Sequence, residues 1–487
     1  MSVERICVAG AGTMGAGIAQ LACLGGLETH LHDPSPEALE TGERGVREGL
    51  AKGAERGRWS ASDAEVAGGR LRVSRLLEDF RRCELVIEAA PEDLELKRAL
   101  FGRLAEVCGD RTVLATNTSS LPVTAVAAPV PRPERVVGMH FFNPPVLIKL
   151  VEVVAGERSS DDALALATEV ARRMGREPVR AADVPGFLAN RVARPFGLEA
   201  LRLLGDRVST VEQIDRIVRI GGGFRMGPFE LADLIGVDVN FEVAKSFYAQ
   251  SFNEPRWQPH PIQARMVQAG RLGRKSGRGY YEYGDDPHRP EDPPVPDPAA
   301  DATSPADGAV VEGAGFRALP VAGASLATRG PDESTVGYYA LPPIAEAPLV
   351  ELTRAPSTSD AAARAAEEFL RELGKHVEWV GDSPGLVLGR IVCQIVNEAA
   401  FTLQAGIASA DDIDTAMVLG FNYPRGPLEW GRRIGLGGVL GVLDGLWAER
   451  REERYRAAPL LRRAVASGES RLFSPDPYER TEGKGSR

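Results

Sequence analysis

Cysteine and histidine are scarce in this sequence. Its five cysteines, Cys7, Cys23, Cys83, Cys108 and Cys393, are scattered over 487 residues, and no two make a CxxC pair. A disulfide framework or a zinc site is therefore not expected, no metal is assigned, and the thiol usage fits a reducing cytoplasm. Long apolar runs are missing too. None approaches the ~18–20 residues that cross a bilayer, so no membrane partner is expected. The N-terminus, MSVERICVAG, lacks a basic stretch followed by an apolar block and a small-residue cleavage site, so no secretory signal is read there. Excess positive charge is absent: the formal net charge is −10, which gives no pull toward nucleic acid or acidic membranes. What remains is a chain with 43% hydrophobic residues, a globular composition, and a length that calls for roughly two to four domains.

RICVAGAGTMGAGIAQLACLGG reads as a buried strand, a glycine turn and a helix. Gly10, Gly12 and Gly15 form G-x-G-x-x-G. The first permits the tight turn, the second lets backbone approach a pyrophosphate, and the third lets helix and strand pack closely. The free N–H groups of the new helix then face the phosphates. THLHD follows as a second strand ending in Asp33, 18 residues past Gly15, where an acid can accept hydrogen bonds from an adenosine ribose. No arginine follows Asp33 directly, so a 2′-phosphate would meet repulsion. NAD is favoured over NADP.

Further strands are read at 85–90, 112–120, 135–142 and 150–156, with helical segments between them. This alternation predicts a mainly parallel, doubly wound α/β sheet, whose ligands bind beyond the carboxyl ends of its strands. TNTSS and HFFNPP both fall at strand ends. The segment after Asp33 is helix-like and carries Arg44, Arg47, Lys52, Arg56 and Arg58. It is either an anion-binding arm or a solvated helix face.

His140 stands beside two phenylalanines, and Glu152 sits inside the apolar LVEVV. Each is costly to bury alone. Paired, the carboxylate accepts one ring N–H, fixes the tautomer and leaves the other nitrogen as a base. It also favours the protonated ring. Such a base beside a nicotinamide suits alcohol oxidation; a purely structural His–Glu pair is the alternative.

GAGTMGAGIAQ, VIEAAPEDLELKRALF, TNTSSL, GMHFFNPP, KLVEVV and DVPGFLANRV occur in the order and spacing of the 3-hydroxyacyl-CoA dehydrogenase family, which the chain resembles over about residues 1–284. The resemblance is to 3-hydroxybutyryl-CoA dehydrogenase-like members. It implies His140 as catalytic base, Glu152 as the group that holds it, Asn190 as support for the reacting centre, and Ser119 as hydrogen-bond partner of the substrate 3-oxygen. It also implies cofactor contacts at Asp33, Glu92, Lys97 and Asn117. Without it, Glu92 and Lys97 read as a helix-surface pair, and Asn117 and Ser119 as turn residues. Coenzyme A is expected against the helical arm, with Lys52 and Arg56 as its candidate contacts.

The resemblance implies a Rossmann-like NAD-binding domain over 1–183 and a helical substrate and dimerisation-type domain over 184–284. The Pro-, Asp- and Ala-rich 285–307 reads as an extended, mobile linker. The remainder repeats the first half. Glu152 recurs as Glu351, Pro185 as Pro384, Arg191 as Arg390 and Asp215 as Asp414, each 199 residues later. The expected organisation is a vestigial remnant of a second α/β domain (308–379), a second, non-catalytic helical domain (380–455) and a C-terminal tail (456–487) ending in the polar, disordered TEGKGSR. His140 becomes Tyr339 and Asn190 becomes Gly389, and no second glycine fingerprint exists, so the second copy has lost its chemistry. It is expected to pack on the first helical domain as an intramolecular pseudo-dimer, compatible with a monomer or with a homo-oligomer through another surface.

The function expected from the resemblance is reversible, NAD-dependent oxidation of an (S)-3-hydroxyacyl-CoA to the 3-oxoacyl-CoA, the chemistry of fatty-acid β-oxidation. The acyl group is expected to be short, as in 3-hydroxybutyryl-CoA, or to carry a terminal carboxylate. The alternatives are a non-catalytic NAD- or acyl-CoA-binding structural protein, and a dehydrogenase of a free acid. The latter would need a basic residue poised for a carboxylate, and the sequence shows no clear one.

Overall fold

The computed structural model describes residues 3–300 and 302–468. The chain divides into two compact units, residues 1–189 with 406–420, and residues 190–405 with 421–487.

In the first unit the strands are β1 (Arg5–Ala9), β2 (Glu28–His32), β3 (Leu71–Ser74), β4 (Leu85–Glu88), β5 (Val113–Thr116), β6 (Val136–Phe141), β7 (Leu150–Ala155) and β8 (Glu177–Ala182). The helices are α1 (Thr13–Leu24), α2 (Pro36–Glu55), α3 (Ala61–Gly68), α4 (Leu94–Val107), α5 (Val123–Ala127) and α6 (Asp161–Arg173). One sheet runs β3-β2-β1-β4-β5-β6-β7-β8, parallel throughout except for the β6–β7 pair. The central strands are apolar runs buried on both faces, as a sheet covered by helices on two sides requires. Strand order reverses at β1, which lies between β2 and β4, so a crevice opens at their carboxyl ends.

The expectation of free thiols fails at one pair. Cys7 in β1 and Cys83 just before β4 form a disulfide, Cα–Cα 6.2 Å, while Cys23, Cys108 and Cys393 are free and buried. The two are 76 residues apart in sequence, and only the lateral β1–β4 pairing brings them together.

The second unit begins with α7 (Ala189–Val192), α8 (Arg194–Gly205), α9 (Val211–Gly222), α10 (Pro228–Ile235), α11 (Val237–Gln250) and α12 (Pro261–Gln268). The described residues of 285–307 then hold no helix or strand but are tied down at several points, where a free linker was expected. Arg219 grips Asp292 with two hydrogen bonds of 2.6 and 2.9 Å, His288 meets Glu230 at 2.8 Å, and Ala299 donates to the Glu372 carbonyl. The cause is charge: the acids and bases of this stretch find buried partners on α9 and α10.

A five-stranded sheet follows, in the order β13-β12-β11-β10-β9. Its strands are β9 (Val311–Gly313), β10 (Phe316–Pro320), β11 (Thr335–Tyr339), β12 (Leu349–Arg354) and β13 (His376–Trp379), with α13 (Asp360–Glu372) packed on it. The pairings from β10 to β13 run parallel, antiparallel, parallel, as do those from β5 to β8. The later half of the first sheet is thus present, and the glycine-turn half is not.

The second set of helices is α14 (Leu388–Gln404), α15 (Ala410–Phe421), α16 (Pro427–Ile434), α17 (Leu436–Arg450) and α18 (Pro459–Ser467). The helical domain therefore runs past 455, and residues 456–468 of the expected tail (456–487) are structured: Leu460, Leu461 and Ala464 of α18 are buried and Tyr455 bonds Arg390. TEGKGSR lies outside the described residues.

Contacts recur in pairs at the repeat offset. Arg191 meets Glu398 at 3.2 Å, and Arg390 meets Glu199 at 2.6 Å. Gly381 donates its N–H to the Val208 carbonyl, and Ala182 donates to that of Ile407. The α-carbon of Gly221 abuts Leu349, and that of Gly420 abuts Leu150.

Candidate active site

The glycine turn is built as its spacing demands. Gly10 has φ 114°, and a Cβ there would fall 2.5 Å from the Ala89 carbonyl oxygen. A Cβ on Gly15 would strike the Gly10 carbonyl at 1.8 Å, whereas one on Gly12 would point into open space. Gly12 is the N-cap of α1 and offers no side-chain cap, leaving the first-turn N–H groups available to an anion. Asp33 stands directly after β2. Its two oxygens accept the N–H groups of Ala11 and Ser35 at 2.9 Å, which anchors the turn to the strand end. An open cleft of about 1250 Å³ is lined here by Gly12, Thr13, Ser35, Thr41, Pro144 and neighbours. Open space over Gly12, an uncapped helix start and an acid at the next strand end together fit a dinucleotide.

At the end of β4 lies a residue that the sequence reading missed. Glu88 is fully buried and accepts hydrogen bonds from Lys97 Nζ (2.6 Å), Thr116 Oγ1 (2.6 Å) and Ala90 N (2.6 Å). Lys97 is also buried, so it is no helix-surface residue. It reaches Glu92 as well, at 3.5 Å. Glu92 Oε1 accepts from the Thr118 and Ser120 hydroxyls and from the Ser119 and Ser120 N–H groups. Burial would raise the Glu92 carboxyl, but the Thr118 hydrogen bond and the Lys97 charge hold it below its ordinary range. The signal for Glu88 was a carboxylate closing an otherwise apolar strand, LVIE.

Two sequence-predicted residues follow β5. Asn117 Oδ1 accepts the Phe141 N–H at 2.8 Å, linking this strand end to β6. The Ser119 side chain is exposed, and its hydroxyl has no hydrogen-bond partner among the described residues.

His140 and Glu152 face each other directly across the antiparallel β6–β7 pair, which explains their twelve-residue spacing. His140 Nδ1 lies 2.6 Å from Glu152 Oε2. The other carboxylate oxygen accepts the N–H groups of Leu188 and Ala189, at 3.1 and 2.7 Å. Gly186 (φ 73°) and Phe187 (φ 48°) are both left-handed, which turns these N–H groups toward the acid. The imidazole packs against Phe142 and Phe187, with centroids 4.4 and 5.8 Å away. Its Nε2 has no partner among the described residues. The arrangement is a ring with one nitrogen spoken for and the other free to exchange a proton.

Asn190 lies on α7, next in the chain after Ala189, and its carbonyl accepts from Arg194 Nε at 3.0 Å. Lys52 and Arg56 are exposed at the C-terminal end of α2, Lys52 lying 3.8 Å from Glu48.

In the second copy the corresponding place is filled. Glu351 accepts the Val387 and Leu388 N–H groups, as Glu152 does those of Leu188 and Ala189. No histidine balances it, and burial pushes its carboxyl up to about 8. Tyr339 stands opposite Glu351 on β11, its ring so close that a Cβ on Gly389 would fall 2.6 Å from it.

Among the described residues no group of three or more potential ligands could hold a metal ion, and no helix is long and apolar enough to cross a membrane. Residues 5–184 match the family described as 3-hydroxyacyl-CoA dehydrogenase, NAD binding domain, and residues 186–283 and 385–476 match its C-terminal domain. A 3-hydroxyadipyl-CoA dehydrogenase of Escherichia coli (strain K12) is 41% identical over 95% of this chain and 97% of its own length. A probable 3-hydroxybutyryl-CoA dehydrogenase of Bacillus subtilis (strain 168) is 39% identical over 58% of this chain and 98% of its own. A crystal structure of 3-hydroxybutyryl-CoA dehydrogenase from Escherichia coli K12 superposes with TM-score 0.89 at 41% identity, covering 96% of this chain and 100% of that one. With a nicotinamide-dinucleotide turn, a buried histidine–carboxylate pair and both family domains in order, the chain belongs to the 3-hydroxyacyl-CoA dehydrogenase family and is an NAD-dependent oxidoreductase.

Proposed function

We propose that the protein oxidises a short-chain (S)-3-hydroxyacyl-CoA to the 3-oxoacyl-CoA, reversibly, taking as substrate 3-hydroxybutyryl-CoA or an acyl group with a terminal carboxylate. The observation that carries this reading is the 2.6 Å bond between His140 Nδ1 and Glu152 Oε2. NAD, when bound, accepts the hydride from C3. Gly10, Gly12, Gly15 and Asp33 would hold its adenosine and pyrophosphate, with Glu92, Lys97 and Asn117 as its further contacts. His140 Nε2 takes the hydroxyl proton, and Glu152 steadies the imidazolium that results. Ser119 donates to the 3-oxygen, and Asn190 supports the reacting centre. Lys52 and Arg56 serve the phosphates of coenzyme A.

The test is His140→Gln. Turnover of 3-hydroxybutyryl-CoA, followed by NADH absorbance, should fall about 10²–10⁴-fold through loss of acid–base catalysis. Near-normal turnover would refute the assignment.

The second helical domain takes the place of a partner subunit. Paired contacts such as Arg191–Glu398 and Arg390–Glu199 have the reciprocal pattern of an isologous interface, in which residue i meets j and j meets i. A chain truncated near residue 284 should self-associate or bind a hydrophobic dye. If it stays monomeric with no exposed apolar face, the pseudo-dimer reading fails.

A further inference from the structure

We propose that Arg194 and Tyr423 form a receptor for the terminal carboxylate of a short dicarboxylic 3-hydroxyacyl-CoA, which makes Arg194 a specificity-determining residue. The inference rests on the dehydrogenase reading and sharpens its substrate.

Arg194 opens α8, and it is the one charged side chain among those lining a cavity of about 740 Å³. The walls are otherwise mostly apolar, with Leu198, Leu201, Phe229 and Ile235 among them. The buried arginines around it have carboxylates: Arg191 meets Glu398, Arg202 meets Glu199, Arg219 meets Asp292 and Arg390 meets Glu199. Arg194 has none among the described residues. Its one hydrogen bond runs from Nε to the Asn190 carbonyl, leaving both terminal nitrogens uncommitted. A guanidinium only partly open to water, set among apolar walls and without a counter-charge, gains from an arriving carboxylate. Burial accordingly draws its pKa below the ordinary arginine value.

Tyr423 supplies the second donor. Its ring lines the same cavity, and its buried hydroxyl has no hydrogen-bond partner among the described residues. The two groups are close enough to interact electrostatically. A carboxylate accepts from a guanidinium fork and a phenol at once.

The duplication provides an internal control. The counterpart of Arg194 is Cys393, and that of Tyr423 is Phe224, so both polar groups are missing at the mirrored positions. Moreover, Tyr339, Gly389 and Cys393, the counterparts of His140, Asn190 and Arg194, lie against one another. The copy that lost the base and the asparagine lost the arginine with them. Arg194 lies one helical turn after Asn190, and helical side chains lean toward the N-terminus. On the reading that puts Asn190 at the reacting centre, the one helical turn to Arg194 is spanned by the few methylenes of a short dicarboxylic chain.

The experiment compares wild type with Arg194→Met, Arg194→Lys and Tyr423→Phe. Substrates are 3-hydroxyadipyl-CoA and its uncharged analogue 3-hydroxyhexanoyl-CoA. For Arg194→Met, kcat/KM on the dicarboxylic substrate should fall about 10- to 100-fold more than on the neutral one. Arg194→Lys should recover part of that difference, and Tyr423→Phe should lose a smaller part. Equal losses on both substrates, or no loss on either, overturn the proposal. Calorimetric binding of adipyl-CoA, hexanoyl-CoA and free adipate to the full-length protein separates the two readings. If wild type turns over neither substrate but prefers adipyl-CoA to hexanoyl-CoA, and Arg194→Met abolishes the preference, the receptor stands and the dehydrogenase reading falls. If free adipate binds as tightly as adipyl-CoA, the site takes a free anion and the proposal fails.

Discussion

Phe224 meets Tyr423, the residue 199 positions later that is its own duplicate, with ring centroids 5.0 Å apart and planes at 79°. A group that touches its own counterpart lies on the local two-fold axis relating the copies. Around that contact, α7 and α8 are joined to their duplicate α14 by two reciprocal, buried ion pairs, Arg191–Glu398 and Arg390–Glu199. Arg390–Glu199 is the pair whose two side chains are both wholly buried, so Glu199→Ala should cost about 3–5 kcal/mol by stranding the arginine. Removing Glu43, the half-buried partner of the exposed Arg47, should cost under about 1 kcal/mol. Urea denaturation of the two variants measures the contrast.

The same carboxylate sets a pH dependence. Burial would raise Glu199, but Arg390 and Arg202 hold it down to about 2 against an ordinary 4.5. The folded state thus binds the proton less readily than the unfolded chain. Its contribution to stability is present above pH 4.5 and is lost as pH falls toward 2. The stability gap between wild type and Glu199→Gln should narrow over that interval, and a gap constant with pH would contradict the assignment.

At the catalytic pair, Glu152→Gln should be nearly as damaging as loss of the histidine. The Oε1 position accepts two backbone N–H groups, so the amide oxygen takes that side and the amide nitrogen is turned toward His140. A donor there forces the imidazole into the wrong tautomer. The expected loss in kcat is about 10²–10⁴-fold, with KM for the acyl-CoA little changed. Stopped-flow measurement of NADH formation tests it.

Lys97→Met should destabilise the protein by about 3–5 kcal/mol, because it leaves Glu88 buried without its cation. A thermal melt that matches wild type would show that Glu88 is held by Thr116 and Ala90 alone.

Much of this is legible in the sequence alone. The glycine turn, the paired His140 and Glu152, and the 199-residue repeat all rest on local spacing or on register, which a sequence displays directly. What was not legible depends on neighbours from distant segments. Glu88 closes an apolar strand, and its cation comes from a helix that reads as exposed. Cys7 and Cys83 meet only because β1 and β4 are adjacent. Asp292 sits in a stretch whose composition suggests loose chain, yet it neutralises an arginine on α9. Arg194 resembles any solvated charge at the start of a helix. Its isolation shows only once the surrounding acids are seen to be committed elsewhere.

Tyr339 packed against Gly389 also fixes the stoichiometry of the molecule. A chain of two fused near-copies should bind one nicotinamide dinucleotide at saturation, because one copy has no turn to receive it and a phenol where an imidazole would work. Cooperative or alternating turnover between the halves is then ruled out by construction.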